Sequence, residues 1–191
     1  MKNKKSALRE ELIARRQGLP AEIAVSAALK IAANIIPHIA KDAVVAGYYP
    51  MRGELDVLPL LRQLSARGNK ICLPVIAGGT KILQFLAWSP DAPLCAGKYG
   101  VLCPPDNSPA LMPDVIIAPL VGFDAAGWRM GYGGGYYDAT ISELRAQNKS
   151  VQIIGAAYSM QLVESLPHEA HDERLGAVAT ELSYREFNLP L

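Results

Sequence analysis

The order of apolar and polar positions divides the chain into helical and strand-like stretches. Residues 3–17 carry Leu8, Leu12 and Ile13 at helical spacing among charges, which predicts a surface helix. Gly18-Leu19-Pro20 interrupts it, and an alanine-rich pattern predicts a second helix over 21–39. Residues 43–49 form a short apolar run of β-formers, the pattern of a buried strand. Leu58, Leu61 and Leu64 share one face of a helix predicted over 55–67. Two strands are predicted next, 70–74 and 81–88, with a turn at Gly78-Gly79-Thr80. Residues 89–113 are rich in Pro, Gly, Asp and Asn and predict a long loop. Further on, the pattern predicts a buried strand at 114–118, a helix over 137–147, a strand at 151–158 and a last strand at 177–180.

Strands alternating with helices predict an α/β protein: a three-layer α/β/α sandwich with a mostly parallel central sheet, Rossmann-like. In such sheets ligands bind beyond the carboxyl ends of the strands. A length of 191 residues suits one sizeable core, and a single domain over 1–191 is expected. Half of the residues are hydrophobic, 19% are charged and the net charge is +1, as in a soluble globular domain. That balance gives no general reason to expect nucleic acid or an anionic membrane as partner. Small-molecule substrates and a monomer are expected instead. A local basic patch does exist: Lys2, Lys4, Lys5, Arg9, Arg15 and Arg16. No run of about 18 uninterrupted apolar residues is present. Cys72, Cys95 and Cys103 are odd in number, with no CxxC spacing and no secretory leader ahead of them. This pattern predicts a reduced, cytoplasmic protein.

The stretch RMGYGGGYYDAT, 129–140, changes the picture. Gly131, Gly133, Gly134 and Gly135 fall between a predicted strand and a predicted helix. Bare backbone there lets a ligand lie directly on N–H groups, and the following helix turns its positive end toward it. The combination suits an anion, above all phosphate. No Gly-Lys-Ser/Thr ends the loop, and its spacing is not that of the dinucleotide fingerprint. Arg129 can neutralise phosphate oxygens in two-pronged fashion. Asp138, at the helix start, suits either a helix cap or a Mg²⁺ ligand. Tyr136 and Tyr137 suit core packing or a platform for an aromatic ligand.

The segment GWRMGYGGGYYDATI resembles the signature of the 5-formyltetrahydrofolate cyclo-ligase family, also called 5,10-methenyltetrahydrofolate synthetases, whose usual form is G-x-R-[LM]-G-x-G-[GK]-G-Y-Y-D. The likeness extends along the chain: Lys5, Ser6, Ala7, Leu8 and Arg9 match K-x-x-L-R; Tyr49-Pro50 and Glu54-Leu55-Asp56 match a segment ahead of the second α/β unit. Leu166-Pro167-His168-Glu169-Ala170-His171-Asp172 and Thr180-Glu181 match late elements. Val57 stands where the family usually has Thr, and Cys103 where it commonly has Glu. The resemblance implies an enzyme that converts 5-formyltetrahydrofolate to 5,10-methenyltetrahydrofolate, splitting ATP to ADP and phosphate with Mg²⁺. By position, the nucleotide would be held by Lys5, Ser6, Ala7, Leu8 and Arg9 and by Arg129, Met130, Gly131, Tyr132, Gly133, Gly134, Gly135, Tyr136 and Tyr137. The folate would meet Tyr49, Glu54, Tyr132, Gly133, Gly134, Gly135 and Tyr136. Mg²⁺ would sit near Asp138 and Asp172, and Arg129 and Tyr136 would be catalytic.

The chemistry asks for such groups. An N5-formyl group is an amide, with a poor leaving group and a poor electrophile. Phosphorylating its oxygen remedies both, and phosphoryl transfer needs chiefly positioning and charge neutralisation. Two other readings carry less. His168 and His171 beside Asp172 invite zinc, but no third ligand or HExxH pattern accompanies them. The basic N-terminal residues suit a solvated helix face or a nucleic-acid contact, against which the balanced charge speaks.

Overall fold

The structure, a computed structural model, describes residues 2–147 and 150–188. It opens with helices α1 (Lys2–Gln17) and α2 (Ala21–Ile35), the second running into a single 3-10 turn, Ile36–His38. Pro37 accounts for the early end: a proline inside the predicted 21–39 helix removes a donor and tightens the last turn. Strand β1 (Val44–Ala46), helix α3 (Leu58–Ala66) and strands β2 (Lys70–Ile76) and β3 (Leu83–Ala87) follow. Helix α3 starts three residues later than its apolar pattern predicts, where the Asp56 carboxylate accepts the Leu58 N–H at 2.9 Å. The loop predicted over 89–113 contains a small hairpin, β4 (Cys95–Ala96) and β5 (Leu102–Cys103). Next come β6 (Val115–Pro119), β7 (Gly122–Asp124), β8 (Arg129–Met130), α4 (Tyr136–Ala146), β9 (Gln152–Ala156), β10 (Leu162–Val163), β11 (Ala177–Ala179) and β12 (Tyr184–Glu186).

Seven strands form the central sheet in the order β12-β11-β9-β6-β1-β2-β3. The five inner strands are parallel, while β12 and β3 pair antiparallel at the two edges. The expected mostly parallel α/β sheet is therefore present. Both faces are covered, so the inner strands are apolar along their length except at the first residues of β2 and β9, Lys70 and Gln152. Val115 and Ile117 of β6 join Val45, Ile71 and Leu73 in the core under α2 and α3. Ile116 and Ala118 point the other way, toward Ile141 and Leu144 of α4. Helix α2 contributes Ala27, Ala28, Ile31, Ala32 and Ile35, a small-residue stripe that lets it lie close to α3.

Strands β10, β7 and β8 make a separate three-stranded sheet near the carboxyl end of β6. The Asp124 carboxylate, buried, holds its turn: one oxygen accepts the N–H groups of Ala126 and Trp128, each at 3.0 Å, and the other accepts Leu166 N–H at 3.0 Å. Buried Gln161 donates to Leu120 O at 2.8 Å and Val121 O at 3.0 Å, fixing the crossing from β6 into β7. Among the described residues no single helix is long and apolar enough to cross a membrane. The three cysteines are free thiols.

Candidate active site

From β1 the chain runs outward to β2 and β3, then returns to add β6, β9 and β11 on the other side. The strand order thus reverses between β1 and β6, and helices leave in opposite directions there, which opens a crevice at the carboxyl ends. A cavity of about 1350 Å³ occupies it. Tyr48 and Tyr49 after β1, Pro119 ending β6, the glycine loop and α1 form its walls. A site for one small ligand usually measures ~300–1,000 Å³, so this one has room for two ligands side by side.

The glycine loop enters from β8. Its first carbonyl, Gly131 O, accepts the Arg9 Nε–H at 2.8 Å. Gly133 and Gly135 have φ of 93° and 71°, a region costly for any residue with a Cβ. Gly135 is the N-cap of α4 and supplies no side-chain cap, so the first N–H groups of that helix stay open toward the cavity. Asp138 does not cap the helix. Its Oδ1 accepts Arg129 Nη2–H at 2.9 Å and Glu173 N–H at 3.1 Å. Arg129 Nη1 also donates to Glu173 O at 2.7 Å, and its side chain is 3% exposed. Burial lowers the Arg129 pKa, with the Asp138 charge acting against that drop.

Helix α1 lies along the cavity. Lys5, Arg9, Leu12 and Arg16 fall at i, i+4, i+7 and i+11 and so share one face. Lys5 Nζ donates to Asp172 Oδ2 at 3.0 Å and to Glu169 Oε1 at 3.4 Å. Burial acts against the Lys5 charge, but Asp172 and Glu169 outweigh it and raise the Lys5 pKa. For Asp172 burial again opposes charge, and the Lys5 ammonium and the Glu169 N–H together hold the carboxyl below its usual range.

A second group of side chains is aromatic and acidic. Tyr48 is buried and donates its hydroxyl to Leu55 O at 3.0 Å. The Glu54 carboxylate accepts Met51 N–H at 3.0 Å. Burial raises the Glu54 pKa, against the opposing pull of that N–H and of Arg16. The phenols of Tyr132 and Tyr137 are likewise pushed up by burial. Tyr136 meets Tyr99 of the β4–β5 turn edge-on, with hydroxyls 3.4 Å apart.

Of the residues the sequence singles out, Lys5, Arg9, Tyr49, Glu54, Arg129, Met130, Gly131, Tyr132, Gly133, Gly134, Gly135, Tyr136, Tyr137, Asp138 and Asp172 line this one cavity. Ser6, Ala7 and Leu8 do not line it; Ser6 bonds Glu10 on the outer side of α1. No cluster of three or more His, Cys, Asp or Glu suited to a metal occurs among the described residues. His168 stacks on Trp128 at 3.9 Å, and His171 is exposed at the cavity. Asp138 and Asp172 each have one oxygen, Oδ2 and Oδ1 respectively, outside the hydrogen bonds just described. A Mg²⁺ held mainly by phosphate oxygens and water fits that pair, since such a site needs only one or two carboxylates. Cys103 sits across from Cys95 in the β4–β5 ladder and lines the cavity apart from the glycine loop. Arg16 stands in the sequence only as part of the basic patch, and Tyr99 is not singled out. Arg16 carried a signal in the α1 spacing; Tyr99 had none.

An open glycine cradle and a tyrosine-lined acid share one cavity at a strand-order reversal, the place where proteins of the α/β class bind their ligands. The model of the "5-formyltetrahydrofolate cyclo-ligase family" matches residues 1–181. A 5-formyltetrahydrofolate cyclo-ligase of Escherichia coli K12 is 38% identical over 152 residues, 75% of this chain and 81% of the relative. One from Haemophilus influenzae is 38% identical over 133 residues, 67% and 70%. A solved 5,10-methenyltetrahydrofolate synthetase from Aquifex aeolicus superposes with a TM-score of 0.80 at 28% identity, covering 98% of this chain and 94% of that one. The chain belongs to the 5-formyltetrahydrofolate cyclo-ligase family.

Proposed function

We propose that this chain converts 5-formyltetrahydrofolate to 5,10-methenyltetrahydrofolate with cleavage of ATP to ADP and phosphate, acting as one domain in the cytoplasm. The observation that carries the reading is the shared cavity: an uncapped helix start with a glycine cradle and three cations faces a half-buried carboxylate among tyrosines. ATP phosphates lie on the N–H groups of the 131–135 loop, with Lys5, Arg9 and Arg129 around them. The pterin ring meets Glu54, Tyr49 and the tyrosines of the loop. Glu54 accepts ring N–H groups and so fixes the N5-formyl oxygen toward the terminal phosphoryl group.

The formyl oxygen attacks that group, and the P–O bond to ADP breaks. The resulting imidate carbon is electrophilic. N10 adds to it with loss of its proton, phosphate departs with the former formyl oxygen, and the methenyl bridge is left. Arg129 offsets the charge that develops on the transferring oxygens, and a buried cation does this without reorganising water. Tyr136 lies at the base of α4, its hydroxyl directed to the ligand side with Tyr99. Mg²⁺, bound with the nucleotide near Asp138 and Asp172, supplies charge neutralisation. No protein nucleophile is needed. The test is a purified chain with 5-formyltetrahydrofolate, ATP and Mg²⁺, followed by absorbance of the methenyl product and by ADP release. Equal amounts of both are expected; product without ADP, or none, overturns the reading.

A further inference from the structure

Arg16, near the end of α1, is 3% exposed yet makes no ion pair among the described residues. Its guanidinium donates to Leu120 O at 3.3 Å, to Arg52 O at 3.0 Å and to the Tyr132 hydroxyl. The Nε–H is buried with no partner. A buried charge held by neutral acceptors, with one donor left over, is a costly way to stabilise a fold. Two of its acceptors, Arg52 in the turn after β1 and Tyr132 in the glycine loop, line the cavity, and the third, Leu120, lies in the core just beyond Pro119 of the cavity wall. Arg52, one of them, has φ of 50°.

Arginine can only donate, so the Tyr132 oxygen accepts from it and keeps its own proton for another acceptor. The Glu54 carboxylate faces that hydroxyl. We infer that Arg16 is a positioning residue for the proposed folate end of the site, turning the Tyr132 hydroxyl toward Glu54. The inference rests on the reading of Glu54 given above. The groups facing Glu54 are Arg16 from α1, Arg52 and the Met51 N–H from its own loop, Tyr48 after β1, Tyr132 from the glycine loop and Tyr137 from α4. Arg16 and Arg52 are the cations among them.

The sign follows. Removing the Arg16 charge raises the Glu54 pKa, so the acidic limb of kcat/KM for folate moves to higher pH. Arg16→Met is expected to raise KM for 5-formyltetrahydrofolate about five- to tenfold, the worth of one ordinary hydrogen bond, with KM for ATP unchanged. Arg16→Lys keeps the charge and returns the pH limb to its original place, though not the full affinity. If Arg16→Met does not fold, Tyr132→Phe gives the same split between the two KM values and the same shift of the limb. Both KM values rising together with a fixed pH limb would mean that Arg16 only holds the fold, and the inference fails. Glu54→Gln separates the two claims. If it leaves KM for folate unchanged, the reading of Glu54 is wrong and the inference falls with it. If it raises KM while the Arg16 and Tyr132 variants behave as wild type, the reading stands and the inference alone is overturned.

Discussion

The two sides of the cavity handle charge differently. Around the glycine cradle, cations and carboxylates come in pairs, Lys5 with Asp172 and Arg129 with Asp138, around bare backbone. Around Glu54, one carboxylate sits among tyrosines with the guanidiniums of Arg16 and Arg52 nearby, the Tyr132 hydroxyl standing between Arg16 and Glu54, and no ion pair to Glu54 is made among the described residues. Each of the paired groups at the cradle already has an opposite charge beside it. The isolated Glu54 instead holds its charge against burial, so its ionisation depends on its neighbours. The first side presents bare main chain and paired charges to the cavity, the second individual side chains.

The largest effect that sharpens this contrast is expected at Arg129. Arg129→Ala should lower kcat by about a hundred- to a thousandfold, as loss of a preorganised transition-state donor does. Stability should fall by only ~1–3 kcal/mol in a denaturant titration, since Glu173 O and Asp138 can turn to water. Near-normal turnover would break the assignment of that side. Next comes Glu54→Gln, with KM for folate raised by about tenfold and KM for ATP unchanged. Its stability should move the opposite way. The folded pKa of Glu54 lies above the ordinary value of 4.5, so wild type is penalised above that value and free of the penalty below it. Glu54→Gln should therefore melt at or above wild type at pH 7, and the gain should vanish as the pH falls through 4.5.

Gly133→Ala should act on the other substrate. A Cβ there meets the Arg9 guanidinium at 3.5 Å and sits on backbone at φ of 93°, a strain of ~1 kcal/mol. KM for ATP should rise several-fold while KM for folate holds. The smallest effect on stability is expected at Asp172→Asn, which loses a partly exposed ion pair worth about 0.2–1 kcal/mol. The Asp172 share of that stability is present above its ordinary value of 3.8 and disappears as pH falls through the lower folded value. The Lys5 share is present below its ordinary value of 10.5 and disappears as pH rises through the higher folded value. Thermal melts across pH check both limits.

The central sheet was legible because strands covered on both faces read as unbroken apolar runs, as 43–49 and 114–118 do. Strands of two or three residues, such as Cys95–Ala96 and Arg129–Met130, leave no period to detect. Tyr184–Glu186, an edge strand with two exposed polar residues, carries no apolar signal either. The cradle stood out because few backbones tolerate four glycines in five positions. Arg16 could be seen as basic but not as buried: its acceptors lie 36, 104 and 116 residues away along the chain. Ser6, Ala7 and Leu8 entered with their motif neighbours, and helical geometry turns them away from the wall that Lys5 and Arg9 face.

Helix α1 carries Lys5 and Arg16, eleven positions or about 16 Å apart, so a single rigid rod touches both halves of the crevice. Its contact at Lys5 is with Asp172, 167 residues downstream. Such distant partners meet late, after the intervening chain has condensed. Competence to hold either molecule would consequently be acquired at the final closing of the chain upon itself, and partly assembled forms would have secondary structure without a usable pocket.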